Sequence, residues 1–97
     1  MMKALHPTSD LLALAKATVW FKQPKDALAY PEHFVAHVLT YGTHDDVKVL
    51  RRYVDDDDLR EALDQAPPGV FDGRSWAYWN LMLGRYPAPP MPQRRFD

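Results

Sequence analysis

The sequence contains no cysteine and no apolar run as long as a membrane-spanning helix, and these two absences narrow the class of protein. A chain of 97 residues without cysteine forms neither disulfides nor thiolate metal sites. A membrane span needs roughly 20 consecutive apolar residues, and no stretch approaches that length. Because a cysteine-free chain suits a reducing compartment, we predict a cytoplasmic protein.

Signatures of catalysis and of phosphate binding are missing as well. The four glycines form no phosphate-binding or dinucleotide-binding pattern. The only serines, Ser9 and Ser75, stand where helix caps or first helical turns belong. The formal net charge of −1 gives no general attraction to phosphate backbones or anionic membranes. We therefore predict a protein that is not an enzyme and that uses neither a metal nor another cofactor.

The composition that is present is typical of a globular helical protein. Apolar residues make up 46% of the chain and aromatic residues 12%, which argues against disorder despite nine prolines. Apolar residues recur at helical spacing, and no alternating pattern of useful length indicates a strand. The sequence predicts an all-α fold: one compact helical domain over residues 1–84, with five or six short helices, followed by a proline-rich tail over residues 85–97.

Capping residues and helix breakers set the predicted helix bounds. The expected helices run from Ser9 to before Pro24, from Pro24 to Ala29, from Pro31 to Tyr41, over residues 43–54, over residues 57–66, and from Arg74 to Leu83. Gly42 and Gly84 are expected to stop two of them. Asp72 is the predicted N-cap of the last helix.

Two clusters of metal-ligand residue types have a simpler explanation. His33 and His37 are four residues apart on one helix, and His44 or Asp45 is a candidate third ligand. However, His33 lies almost opposite the apolar centre of its helix, which predicts solvated histidines. The four aspartates at 55–58 lack the glycine and distal glutamate of a calcium loop, so we expect them to cap the following helix.

A small basic cluster supports an alternative function in DNA binding. Lys48, Arg51 and Arg52 lie on the predicted helix over residues 43–54, which with the next helix resembles a helix-turn-helix pair. The acidic run at 55–58 follows at once, and its field opposes the approach of phosphate. A small helix-turn-helix DNA-binding regulator therefore stays the alternative, with these three residues as its nucleic-acid contacts.

The densest stretch of the chain is GVFDGRSWAYWNLMLG, at residues 69–84. A helical wheel places Trp76, Trp79 and Leu83 on one stripe with Met82 alongside, which predicts the core side of the last helix. The opposite face carries an aromatic and a leucine flanked by arginines: Arg74, Tyr78, Leu81 and Arg85. Tyrosine and arginine are enriched at interface hot spots, so this face is a candidate partner-binding surface.

The proline-rich tail leaves two alternatives open. Its prolines favour a stiff extended arm, and the arm ends in two cations and an aromatic, Arg94, Arg95 and Phe96. These three residues extend the predicted partner-binding set if the arm reaches another protein. If the tail folds back over the domain, it covers the last helix instead.

Several short motifs give the chain a family resemblance over residues 19–84. They are WF at 20–21, YGT at 41–43, LREAL at 59–63 and FDGRSWAYW at 71–79. With them the chain resembles a family of short bacterial all-helical proteins encoded beside nucleotidyltransferase-type toxins of the abortive-infection kind. The resemblance implies an antitoxin, or an accessory partner, that neutralises a cognate nucleotidyltransferase-like toxin by covering its surface or cleft. It implies no catalytic residue.

Overall fold

The computed structural model describes residues 3–92 and contains six α-helices in that range. They are α1 (Ser9–Thr18), α2 (Pro24–Leu28), α3 (Pro31–Tyr41), α4 (His44–Leu50), α5 (Asp56–Asp64) and α6 (Gly73–Met82). No strand occurs among the described residues. The all-α prediction is confirmed. None of the helices between residues 3 and 92 has the length and hydrophobicity of a membrane span.

Helix α3 is the centre of the fold, because the other five helices all pack against it. Its sequence explains this position: Phe34, Val35 and Val38 are at most 1% exposed, so apolar side chains cover more than one side of the helix. Leu11 of α1 and Leu59 of α5 are buried in the same core. One hydrophobic core therefore connects all of the helices.

Side-chain caps begin four of the six helices. The Thr8 hydroxyl accepts a hydrogen bond from the Leu11 backbone N–H at 3.2 Å and begins α1. Reciprocal capping boxes begin α4, between Thr43 and Asp46, and α5, between Asp55 and Asp58. Each box satisfies backbone N–H groups that the first helical turn leaves unpaired. The predicted capping role of the acidic run is confirmed.

The predicted helix over residues 43–54 is too long, because α4 ends at Leu50. The next residues form tight turns in which the Tyr53 N–H bonds to the Leu50 carbonyl at 2.9 Å. Asp55 needs an extended backbone to cap α5, so the chain must leave the helix before it. Arg51 is thus a C-cap rather than part of a helical face. Helix α5 likewise ends at Asp64, two residues before its predicted end.

Two glycines end helices for different physical reasons. At Gly42 the backbone is extended, with φ −75° and ψ 158°, and an added Cβ would lie 2.6 Å from the Val38 carbonyl oxygen. A close backbone contact therefore requires glycine there. Gly84 has φ +79°, the left-handed conformation that glycine adopts most easily. Both predicted helix stops are confirmed.

Asp72 gives helix α6 a pH-dependent cap. Its carboxylate accepts a hydrogen bond from the Ser75 backbone N–H at 2.7 Å. This bond, with smaller contributions from the Ser75 side chain and the Arg74 charge, lowers the pKa of Asp72 below its ordinary value of 3.8. The charged cap stabilises the fold fully above that value, and its contribution is lost as the pH falls through the lower pKa of the folded protein.

We therefore expect a carboxyl NMR titration of Asp72 in the folded protein to have its midpoint below 3.8. The matched variant Asp72→Asn keeps a capping oxygen but does not titrate, so its stability should change less with acid than that of the native protein. A midpoint at or above the ordinary value would show that the Ser75 hydrogen bond does not hold in solution.

Candidate protein-binding surface

Helix α6 has one buried side and one exposed apolar side. Trp76 and Trp79 are 5% and 8% exposed, whereas Tyr78, Leu81 and Met82 are 52%, 59% and 60% exposed. Single exposed apolar side chains are ordinary on protein surfaces, but contiguous patches mark interaction sites. Three large apolar side chains on two adjacent turns form such a patch. We call Tyr78, Leu81 and Met82 the α6 patch.

The buried side of α6 holds the patch in a fixed orientation. The indole N–H of Trp79 donates to the Leu39 carbonyl of α3 at 2.9 Å, and that of Trp76 donates to the Pro89 carbonyl at 2.7 Å. Asn80 is fully buried, but its bond to the Trp76 carbonyl at 2.8 Å lies within α6 and its Oδ1 has no hydrogen-bond partner, so the two indole bonds are the ones that hold α6 to the rest of the fold. Buried aromatic side chains with satisfied polar groups anchor a helix strongly. The α6 patch is therefore presented by a rigid element.

The structure corrects the predicted core stripe of α6 at one residue. Met82 is exposed, and Asn80 occupies the buried side instead. At 100° per residue Asn80 lies close to the Trp76 and Leu83 directions, while Met82 lies toward Tyr78. Hydrophobicity favoured methionine for the core, but the position on the helix decides burial. The correction enlarges the exposed apolar face.

Arg74 lies at the N-terminal end of this face, beside a groove between α6 and the start of α4. Arg74 and Tyr78 line this groove, with Thr43, His44 and Val47 on its other side. Its volume is about 380 Å³. The exposed guanidinium thus adds a cationic edge to an apolar surface, a combination that suits a partner with a carboxylate next to an apolar side chain.

Arg85 does not continue the helical face on which it was predicted. Helix α6 ends at Met82, and the left-handed Gly84 redirects the chain. The Arg85 guanidinium then pairs with Asp64 at the end of α5, at 2.8 Å, and its side chain is only 21% exposed. The prediction continued the helical spacing to Arg85, past the predicted helix end at Leu83 and the Gly84 stop. Arg85 stabilises the junction of α5 with the tail.

The described part of the tail packs on the domain without covering the α6 patch. Ala88 and Met91 pack against the hydrophobic core, and the Pro89 carbonyl accepts the Trp76 hydrogen bond. The N-terminal segment lies elsewhere, since the Leu5 N–H bonds to the Leu28 carbonyl of α2. The predicted contacts Arg94, Arg95 and Phe96 lie outside the described residues.

In the basic cluster of the DNA-binding alternative, which is Lys48, Arg51 and Arg52, both arginines lie close to carboxylates. Arg51 pairs with Asp56 at 2.6 Å, and Arg52 lies 3.9 Å from Asp10. Lys48 is exposed on α4. Exposed ion pairs add little stability, but each places a negative charge beside a cation that phosphate would need. Because two of its three cations lie beside carboxylates, the structure favours this alternative less than the sequence does.

The histidine pair makes backbone and aromatic contacts. His37 Nδ1 donates to the His33 carbonyl at 2.7 Å, and its ring lies 5.4 Å from that of Phe21. His33 is exposed and stacks on Tyr30, with ring centroids 6.2 Å apart. Among residues 3–92 no three potential ligands meet in a metal-binding cluster.

A second exposed aromatic surface went unpredicted. Trp20 is 81% exposed and Phe21 53%, in the turn between α1 and α2, and Tyr30 and Tyr41 at the two ends of α3 are 56% and 63% exposed. Trp20 and Phe21 lie between helices, so a helical period does not reveal them, whereas Tyr30 and Tyr41 are about three helical turns apart on one side of α3. The available signal was the adjacent pair Trp20 and Phe21 between a helix end and Pro24, where no core face continues.

Comparison with protein-family models, with curated proteins and with solved structures finds no match to this chain. The resemblance to toxin-associated helical proteins consequently stays a prediction.

Proposed function

We propose that this chain is a non-catalytic protein-binding module of the cytoplasm that binds its partner through the α6 patch and Arg74. The observation that carries the proposal is the exposure of Tyr78, Leu81 and Met82 on a helix whose other side is firmly anchored. A monomeric helix would normally present polar side chains there. The exposed apolar side chains indicate a surface completed by another protein.

The energetics of such a surface fit specific binding. Central aromatic and arginine anchors carry most of the binding energy of an interface, and hot spots cost at least about 2 kcal/mol each when truncated. The anchored Trp76 and Trp79 hold α6 in place before binding. Association therefore costs little further conformational entropy in this helix. A helix presenting anchors at spacings of three and four also suits recognition in a groove.

We further propose that the partner is a nucleotidyltransferase-like toxin, which the chain neutralises as an antitoxin or accessory protein by occlusion. The family resemblance supports this identity, and Arg74 supplies a cation for the acidic, metal-binding residues expected in such a cleft. Arg94, Arg95 and Phe96 extend the proposed contact along the tail. Arg85 contributes through its ion pair with Asp64, by holding the start of the tail.

Co-expression with the proposed cognate nucleotidyltransferase-like toxin tests this role. We expect the native chain to restore growth and, when purified, to abolish nucleotidyl transfer at a 1:1 ratio. The Leu81→Asp variant places a charge in the α6 patch and should do neither, although the exposure of Leu81 predicts an intact fold. Full toxin activity in the presence of excess native chain would contradict the antitoxin role.

A further inference from the structure

A cavity of about 240 Å³ lies away from the α6 patch, between the α1–α2 turn, α3 and the loop joining α5 to α6. Its floor consists of buried apolar side chains, Val19, Ala27 and Phe34, which are 3%, 3% and 1% exposed. Pro67 and Val70 of the α5–α6 loop close the opposite side. Three separate segments therefore shape an apolar recess that no single sequence motif encodes.

The volume of this cavity suits a single aromatic ring with a short arm. An apolar cavity of about 150 Å³ is enough to hold benzene. The 240 Å³ here leaves room for a ring and two or three further atoms. Drug-sized ligands normally occupy larger pockets, of about 300–1,000 Å³. The cavity thus selects small, mainly apolar molecules.

The charge at the rim favours a negatively charged group. Lys22 Nζ lies 4.7 Å above the centre of the Tyr30 ring, and His33 and His37 also line the opening. No carboxylate lines this cavity, all of whose walls belong to the described part of the chain. The ammonium group of Lys22 is therefore available to an anion at the mouth of an apolar recess. The Tyr30 ring holds it there through a cation–π contact.

We propose that this cavity is a binding site for a small aromatic monocarboxylate. The ring enters the recess and packs against Phe34 and Ala27, and the carboxylate stays at the rim beside Lys22. The site is separate from the α6 patch, so this inference goes beyond partner binding and does not depend on it.

The test uses 3-phenylpropionate as the probe and its neutral analogue 3-phenylpropanamide as the matched ligand. Titrations followed by amide NMR should shift resonances of Ala27, Phe34 and Val70, with a dissociation constant on the order of 1 mM. The amide should bind about fivefold more weakly, as expected for the loss of one partly exposed ion pair. No shifts up to 20-fold above that concentration, or shifts confined to other parts of the fold, would overturn the proposal.

Two variants distinguish the contribution of the ring to binding from that of the carboxylate charge. Lys22→Gln should weaken binding of the acid to the level of the amide and leave the amide unchanged, because glutamine keeps most of the side chain that lines the opening and removes the ammonium charge. Val70→Phe should fill the recess from the loop side and abolish binding of both ligands, with the native spectrum retained elsewhere. Equal affinities of acid and amide for the native chain would show that Lys22 does not select an anion. Tyr78→Ala should bind both ligands as the native chain does.

Discussion

Replacing Tyr78 and Leu81 together by alanine is expected to weaken partner binding by about 100-fold or more while the helical content stays unchanged. Truncated hot spots cost about 2 kcal/mol or more each, and about 2.7 kcal/mol corresponds to a factor of 100 in affinity. Both side chains are more than half exposed, so truncation of Leu81 should change the free energy of unfolding by no more than about 0.5 kcal/mol. The Tyr78 ring also meets the Trp79 ring edge-on, with centroids 5.1 Å apart, so its truncation should cost about 0.5–1.5 kcal/mol, which leaves the domain folded. Calorimetric titration with the partner and circular dichroism measure the two effects.

The matched control is Trp20→Ala, which removes an even more exposed aromatic side chain, 81% exposed, from the α1–α2 turn. It should bind the partner as the native chain does, because Trp20 lies outside the α6 patch. Native affinity of the double variant would eliminate the α6 patch as the interface. Loss of helicity in that variant would instead show that Tyr78 and Leu81 belong to the core in solution.

The same Leu→Ala substitution should destabilise the fold strongly at Leu63 and very little at Leu81. Leu63 of α5 is fully buried, and its truncation is expected to cost about 3–4 kcal/mol because it leaves a cavity in a packed core. For a domain of this size about 3 kcal/mol lowers the melting temperature by about 12–24 °C. Natural domains have only about 5–15 kcal/mol of stability in total, so this variant should be close to unfolding at physiological temperature.

Leu81→Ala is the control for this comparison, since Leu81 is 59% exposed on α6. We expect it to change stability by less than about 0.5 kcal/mol. Chemical denaturation of the two variants checks the difference. Equal destabilisation at Leu63 and Leu81 would mean that the buried and exposed sides of the fold are assigned incorrectly.

Helix starts could be predicted because they depend on local chemistry. The reciprocal bonds of Thr43 with Asp46 need only residues three apart and an adjacent helical stretch, and the same holds for Asp72 with the Ser75 N–H. The buried side of α3 could also be predicted, because Phe34 and Val38 are four residues apart, and the structure shows that both are buried. Local hydrogen bonds and side-chain periodicity thus account for the all-α architecture.

The errors arose where tertiary contacts or neighbouring elements decide. Helix α4 ends early because Asp55 must be extended to cap α5. Arg85 leaves the helical face because Gly84 turns the chain and Asp64 lies within reach. The error at Asn80 and Met82 differs, because the helical wheel already gives their positions and the prediction placed hydrophobicity above position. Each of these depends on geometry that residue type alone does not specify.

The α6 patch could be predicted in part from the sequence, whereas the small cavity could not. Tyr78 and Leu81 are three residues apart, so the sequence predicts that they share one face of the helix. The structure shows that both side chains are exposed. The small cavity joins Val19, Phe34 and Val70, which lie on three segments far apart in the chain. Only the packing of the α1–α2 turn and the α5–α6 loop around α3 brings these residues together.

The measurement that most directly tests the central claim is a paired capture from native cell extract treated with nuclease. The tagged native chain and its Tyr78→Ala, Leu81→Ala double variant are purified in parallel and analysed as intact complexes by mass spectrometry. We predict one protein partner in a fixed stoichiometric ratio with the native chain and its loss with the double variant. A native chain that emerges alone, or that carried only nucleic acid before the nuclease was added, would contradict a protein-binding function for the α6 patch.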